Sequence, residues 1–233
     1  MSVVAFDRIA TNTQLLLSLP FQEGSGLLTC DVARPGHPPI ILAGPPTWAS
    51  IGSGLGVLQL DGAGDYGYCP AADCVDLDFT TDDYSIAGWI NWTDTMAAEI
   101  IIGRYGTELD GWEAYMFDSL LSLRHNHVSL TPDVSDSCYS SGWTPGTWWF
   151  MGITRCGLYP RMYRNGLPVG VTYDVGGLKD PDTCNRDLVI GTRYTKNTNW
   201  YSGSLWNLRV WAGELTPIQM LTLFNMERHW FGV

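Results

Sequence analysis

Few residues in this chain are spaced for chemistry. Glu108-Leu109-Asp110-Gly111-Trp112-Glu113 places three carboxylates within six residues. Two carboxylates about 5–5.5 Å apart on one strand face, one a nucleophile and one an acid, cleave a glycosidic bond. The apolar run Ile100–Tyr105 stops at Gly106, however, and the next begins near Trp112. Glu108, Asp110 and Gly111 are therefore expected in a hairpin loop, as a solvated acidic turn. His125-Asn126-His127 puts two imidazoles on one side of a strand, a spacing that can ligate a transition metal. No third ligand can be assigned, so the pair reads as surface or turn histidines. Neither GxSxG, a phosphate loop nor a dinucleotide fingerprint occurs.

Aromatic side chains are the remaining candidates. Sugar sites stack rings on Trp or Tyr faces beside Asn and Asp hydrogen-bonding groups. Trp200-Tyr201 follows the polar loop Thr195-Lys196-Asn197-Thr198-Asn199, and Trp143 sits in Ser140-Ser141-Gly142-Trp143-Thr144. Trp143, Asn197, Asn199, Trp200 and Tyr201 are the ligand-binding candidates, with packing over a sheet edge as the competing reading. Trp89, Trp148 and Trp211 lie in strand-like runs and are expected in the core.

The elements that must position these residues read as strands. Gln14–Phe21, Val57–Leu60, Tyr84–Trp92, Glu99–Tyr105, Glu113–Phe117, Leu120–His125, Trp148–Arg155, Arg161–Arg164, Leu167–Tyr173, Leu188–Thr192 and Gly203–Trp211 are separated by Gly, Pro, Asn and Asp. Many short strands with turns between them signal an antiparallel sandwich or barrel. Asn165-Gly166 tolerates φ > 0 at both positions and predicts a type I′ hairpin. Trp148-Trp149-Phe150-Met151 is apolar on both sides, which predicts a second cover over that sheet. Leu215–Arg228 is the one helix expected, with Thr216 as cap and Pro217 in the first turn.

Composition narrows the function classes. With 24 acidic and 13 basic residues the net charge is −11, and no basic cluster offsets it, so nucleic-acid binding is not expected. Charged residues are 16% of the chain against a typical ~25%. No window approaches the ~18 apolar residues of a membrane span, and membrane insertion is not expected. The start MSVVAFDRIA lacks the basic and apolar pattern of an export signal. The six cysteines are expected as buried free thiols, ahead of disulfides and well ahead of zinc.

The order of strands and turns resembles the laminin-G-like, concanavalin A-like jelly-roll family. Leu19–Gly26 looks like its opening strand and turn, and Leu60-Asp61-Gly62-Ala63-Gly64-Asp65-Tyr66 like its DG turn and DY pair. Tyr84-Ser85-Ile86-Ala87-Gly88-Trp89-Ile90 resembles its first long core strand. Pro145-Gly146-Thr147-Trp148 with Gly152-Ile153-Thr154, Tyr163-Arg164-Asn165-Gly166, Ile190-Gly191, and Gly203 through Thr216 follow in the family's order. The match runs from residue 17 to about residue 219. It implies an all-β, two-sheet antiparallel jelly-roll sandwich at 13–233, with one short C-terminal helix and an N-terminal arm at 1–12.

The resemblance also implies candidate sites. The ExDxxE spacing of Glu108, Asp110 and Glu113 fits the related family 16 glycoside hydrolases, but this position is a loop in the laminin-G-like pattern. Relatives often bind calcium, which takes six to eight oxygens. Asp31 stands where the family often has an acidic residue. The closing strand reads Trp206-Asn207 instead of an acidic pair, which leaves Asp31 a weak metal candidate and calcium the weaker expectation; no other cofactor is expected. The run Asp73, Asp76, Asp78, Asp82, Asp83 reads as a solvated acidic loop.

This architecture hosts lectins, adhesion modules and hydrolases alike. The expectation is a non-catalytic recognition or structural module, multicopy or oligomeric. It would be made in the cytoplasm and used on a virion surface or outside the cell. There it would attach to other protein subunits, such as a capsid or tail lattice, and contact cell-surface glycans. A calcium-assisted lectin-like domain is the alternative, and a family 16-type hydrolase the remote one.

Overall fold

The computed structural model describes residues 12–33, 36–93, 96–129, 134–174 and 176–233. Apart from Asn12, the expected arm at 1–12 lies outside them. In chain order the first strands are β1 Leu15–Leu19, β2 Leu28–Thr29, β3 Ile40–Ala43, β4 Thr47–Ser50, β5 Gly56–Asp61 and β6 Tyr66–Cys69. Then come β7 Tyr84–Trp92, β8 Glu99–Gly106, β9 Asp110–Phe117, β10 Leu120–Asn126, β11 Ser135–Ser140 and β12 Trp149–Arg155. The last are β13 Arg161–Arg164, β14 Leu167–Val169, β15 Thr172–Tyr173, β16 Leu188–Ile190 and β17 Ser202–Ala212, followed by helix α1, Pro217–Glu227.

Two antiparallel sheets form a sandwich. The first runs β14-β13-β12-β7-β17-β5-β4, with β1 also paired to β17; the second runs β15-β11-β10-β9-β8-β16-β6-β3-β2. A bulge in β17 between Trp206 and Arg209 divides that strand. Its first half pairs with β5 and its second with β1. Asn207, at φ +50, takes the left-handed backbone that the bulge needs.

Period-2 alternation builds the core. Leu58, Ile86, Met151 and Val210 of the first sheet meet Ile102, Trp112, Leu123 and Ile190 of the second in one apolar cluster. The opposite face of the first sheet is apolar too. Trp89, Phe150, Tyr163, Trp206 and Trp211 pack there against Met220, Leu223 and Phe224 of α1, with Trp148 and Phe231 partly buried beside them. The doubly apolar run Trp148–Met151 thus sits between the core and a helical cover.

Local signals place that cover. Thr216 accepts from the Gln219 backbone, the Gln219 side chain returns the bond, and Pro217 opens the helix. The Asn165-Gly166 turn has φ +51 and +74 and joins β13 to β14 in the expected register. A Cβ on Gly166 would lie 2.9 Å from the Leu221 Cα, so the hairpin fits beneath α1 because that residue has no side chain. Glu227 fastens the far end. Its carboxylate accepts from Trp89 Nε1 and Asn207 Nδ2, each at 2.8 Å, and pairs with Arg209 at 2.8 Å.

Every strand read from the sequence overlaps an observed one, but β2, β3, β4, β6 and β11 were not legible. They are short, and β11 (SDSCYS) brings Cys138 to the core cluster as its one apolar anchor. Leu167–Tyr173 divides at Gly170, with β14 in the first sheet and β15 in the second. All six cysteines are free thiols; Cys30 and Cys156 are exposed and the other four buried.

Two outcomes follow. Glu227→Ala leaves Trp89 Nε1 and Arg209 without their buried acceptor and should cost about 3 kcal/mol. At about 2–4 °C per kcal/mol for a domain of this size, that is a clear drop in thermal melts, largely spared in Glu227→Gln. The second concerns His125, wholly buried between Tyr84 Oη and the Lys179 carbonyl, each at 2.8 Å. Burial lowers its pKa to about 3. The folded state keeps this imidazole neutral while the unfolded chain takes up a proton below about pH 6.5. Its contribution is therefore full above about pH 6.5 and declines by about 1.4 kcal/mol per pH unit down towards pH 3. Denaturation from pH 7 to 4.5 should show a steeper loss in the native chain than in His125→Gln.

Candidate ligand pocket on the outer face of the second sheet

The outer face of the second sheet is built by the residues that alternate with its core-facing ones. Asp118 and Ser119, at φ +46 and +60, make a two-residue turn between β9 and β10. That turn sets Glu113 opposite Arg124 and Tyr115 opposite Ser122. Trp112, Ala114 and Leu123 point inward, so Glu113, Tyr115 and Arg124 point outward. On the other flank Glu113 lies across from Gly103. A Cβ there would stand 2.9 Å from the Glu113 Cβ and 2.8 Å from the Tyr105 ring; the missing side chain lets both crowd together.

These residues line a cavity of about 140 Å³, walled also by Arg193 and Asn199. That is below the ~300–1,000 Å³ of pockets for drug-sized ligands, so it suits one small group. Arg124 donates to Glu113 Oε1 at 3.3 Å and to Tyr115 Oη at 3.1 Å, and lies 5.1 Å from the Tyr115 ring centre. Asn126 Nδ2 reaches Glu113 Oε1 at 3.5 Å. Burial pushes the Glu113 carboxyl above its ordinary range, with Arg124 opposing the shift. The Tyr105 hydroxyl is raised by burial and by the Glu113 charge. It stands buried with no hydrogen bond of ordinary geometry.

Loop 191–200 forms the rim. It is pinned by Asn199, whose Nδ2 donates to the Ala98 carbonyl at 3.0 Å and whose own carbonyl accepts from Ile100 at 3.3 Å. Arg186 and Arg193 flank the Tyr194 ring at 5.0 and 5.5 Å, and Tyr194 meets the Tyr105 ring edge-on at 5.6 Å. Beside this lies a second aromatic group, Tyr66 with Tyr68 at 6.0 Å and with Trp200 at 5.8 Å. Lys196 sits over Tyr68 at 4.1 Å and pairs with Asp187 at 2.6 Å.

The sequence candidates divide accordingly. Asn199 lines the cavity and half-buried Trp200 lies on the same face. Asn197, on the exposed tip, accepts from the Thr195 hydroxyl at 2.5 Å. Trp143 and Tyr201 require correction as ring platforms: they are 2% and 0% exposed and belong to the core cluster. Trp143 donates its indole N–H to Ser140 Oγ at 3.0 Å. Glu113, Tyr105, Tyr115, Arg124 and Arg193 were not named as ligand contacts. A signal for two of them existed, since a two-residue turn between Phe117 and Leu120 pairs 113 with 124 and alternation puts both on the face opposite Trp112 and Leu123.

The three carboxylates of the ExDxxE run diverge. Glu108 is exposed in the β8–β9 turn, at φ +60. Asp110, already in β9, pairs with Arg186 at 3.2 Å, and Glu113 alone enters the cavity. His125 and His127 are buried rather than on the surface, His127 Nε2 lying 3.3 Å from Asp136 Oδ2. Both shift inward because β10 ends under the 176–184 segment, where the Lys179 and Asp182 backbone groups bond to Asp136 and Asn126.

Asp31 is a brace. Its Oδ1 accepts from the Ser18 and Ala33 backbones at 2.8 and 2.9 Å, and its Oδ2 meets His37 Nδ1. Asp78 and Asp83 likewise cap the Cys184 and Gly157 backbones, at 2.8 and 2.9 Å. Among the described residues no three His, Cys, Asp or Glu side chains converge as a metal site requires. With both Asp31 oxygens engaged, thermal melts in EDTA and in millimolar calcium should coincide. A site saturated at 100 times its dissociation constant would add about 2.7 kcal/mol, an upward shift that defeats this expectation.

Comparison with known proteins agrees with this architecture. The laminin G family described as the concanavalin A-like lectin/glucanases superfamily matches residues 61–219. No curated protein matches the chain in sequence. Among solved structures, the binding domain of botulinum neurotoxin serotype G superposes with a TM-score of 0.67 at 14% identity, over 91% of this chain and 51% of that one. The binding domain of Paraclostridial Mosquitocidal Protein 1 gives 0.68 at 14% identity, over 93% and 53%. The binding domain of botulinum neurotoxin DC, solved in complex with rat synaptotagmin II, gives 0.66 at 15%, over 93% and 52%. The chain spans about half the length of these structures, and at such identity they share its fold. Sandwich, strand order and family match converge: the chain belongs to the concanavalin A-like lectin/glucanases superfamily, as a laminin G-type domain.

Proposed function

We propose that this chain is a non-catalytic recognition module that holds one sugar residue of a glycan in the outer cavity of the second sheet. The observation that carries the reading is that a single carboxylate, Glu113, faces the cavity, among aromatic and hydrogen-bonding side chains. Glycoside hydrolysis needs two carboxylates flanking the bond, and Glu108 and Asp110 point elsewhere. Arg124, Arg193 and Asn199 line the cavity with donors, and Tyr105 and Tyr115 form its wall. The structural neighbours are binding domains of toxins, which is consistent with recognition rather than turnover.

The setting we propose is a multicopy protein assembly displayed outside a cell, such as a virion surface. Its support is the helix side of the molecule, where Ile218, Met226 and Trp230 are 78%, 56% and 40% exposed. Apolar surface of this kind suits attachment to other protein subunits and leaves the opposite sheet facing outward.

Tyr105→Phe tests the recognition reading, because it removes one hydroxyl and keeps the ring. Glycan-array binding followed by calorimetry should show affinity reduced about 5- to 10-fold, the worth of one hydrogen bond, with melting temperature unchanged or raised. Incubation with β-glucans, laminarin, agarose and carrageenan should release no product. Turnover that disappears in Glu113→Gln would overturn the non-catalytic assignment.

A further inference from the structure

We infer that the cavity selects a sugar carrying one negative group, a carboxylate or a sulfate ester. This rests on the recognition reading above and goes further, since that reading is silent on charge. Two guanidinium groups, Arg124 and Arg193, line the cavity with one carboxyl, Glu113. Arg124 is matched by Glu113 at 3.3 Å. Arg193 forms no ion pair among the described residues and rests half-buried against the Tyr194 ring. The neighbouring cations are matched, Arg186 with Asp110 and Lys196 with Asp187. The surplus of positive charge on this face therefore falls on Arg193, at the cavity rim.

That surplus stands out against the whole molecule. The net charge is −11, so the general field repels anions, and a cationic pocket is a local reversal of it. A neutral sugar seated over Arg193 offers single, uncharged hydroxyl acceptors and leaves the guanidinium charge unmatched. A carboxylate or sulfate would accept two of its N–H groups in the fork geometry that guanidinium favours. The Tyr105 hydroxyl lies beside Glu113 in the cavity wall.

The test uses the intact chain on an array of neutral, carboxylated and sulfated oligosaccharides, followed by calorimetry with lactose, 3′-sialyllactose and 3′-sulfated lactose. At least one charged probe should bind 10-fold or more tightly than lactose and weaken between 50 and 300 mM salt, as about one ion pair would. The tighter of the two charged probes identifies which group the cavity takes. Arg193→Gln should abolish the preference without moving the melting temperature, and Arg193→Lys should retain most of it. Equal binding of neutral and charged probes would overturn charge selection while leaving recognition intact. A preference that survives in Arg193→Gln would overturn the assignment to this cavity, and no binding to any array glycan would remove both readings.

Discussion

Glu227 accepts from Trp89 and Asn207 and pairs with Arg209, three groups on two neighbouring strands of the first sheet. This one carboxylate ties the end of α1 across a sheet face that would otherwise expose Trp89, Phe150, Trp206 and Trp211. Four large aromatic side chains in water would make an aggregation surface; under the helix they become a second core. The bulge at Asn207 belongs to the same arrangement. It turns that side chain towards Glu227 while the strand changes its partner from β5 to β1.

Covering that face leaves the outer side of the second sheet as the strand face open to solvent. A sandwich has two outer faces, and here one is consumed by packing. The other, on the second sheet, keeps its outward side chains in a partly open array of Tyr66, Tyr68, Tyr105, Tyr115 and Trp200 with interleaved charges. The inward residues of the same strands hold this array rigid. Trp112 and Leu123 are buried in the core, which fixes the strands from which Glu113 and Arg124 project. A site carried on strands in this way is preorganised, which lowers the entropy lost when a ligand binds.

Buried polar groups serve the scaffold more than the site. Asp31, Asp78 and Asp83 each cap backbone amides of distant segments, and His125 bridges Tyr84 to the Lys179 carbonyl. Arg155 reaches the Thr80 and Asp82 carbonyls and Asp180. Loops around a jelly roll have few backbone partners of their own, and such side chains supply them. Acidic and histidine residues that look like ligands in one dimension are thereby used up in three.

The sequence by itself determined the elements that depend on short-range chemistry. Asn165-Gly166 dictated a hairpin, Thr216-Pro217 with Gln219 dictated a helix start, and the doubly apolar run at 148–151 required a cover. Ordered turns and core aromatics sufficed to identify the family. Short strands such as β11 were hidden, because Cys138 carries little hydrophobic signal and the pairing that makes them strands comes from distant segments. Of the residues of the proposed site, Asn199 was among the sequence candidates, whereas Trp143 and Tyr201 turn inward and Arg193 was not named. Alternation states that successive residues face opposite ways; it does not state which way faces solvent, nor which rings meet across a sheet. Only the tertiary structure decided that, by stacking the two sheets and laying α1 over one of them, and so left Glu113, Arg124 and Arg193 together on the face that remained.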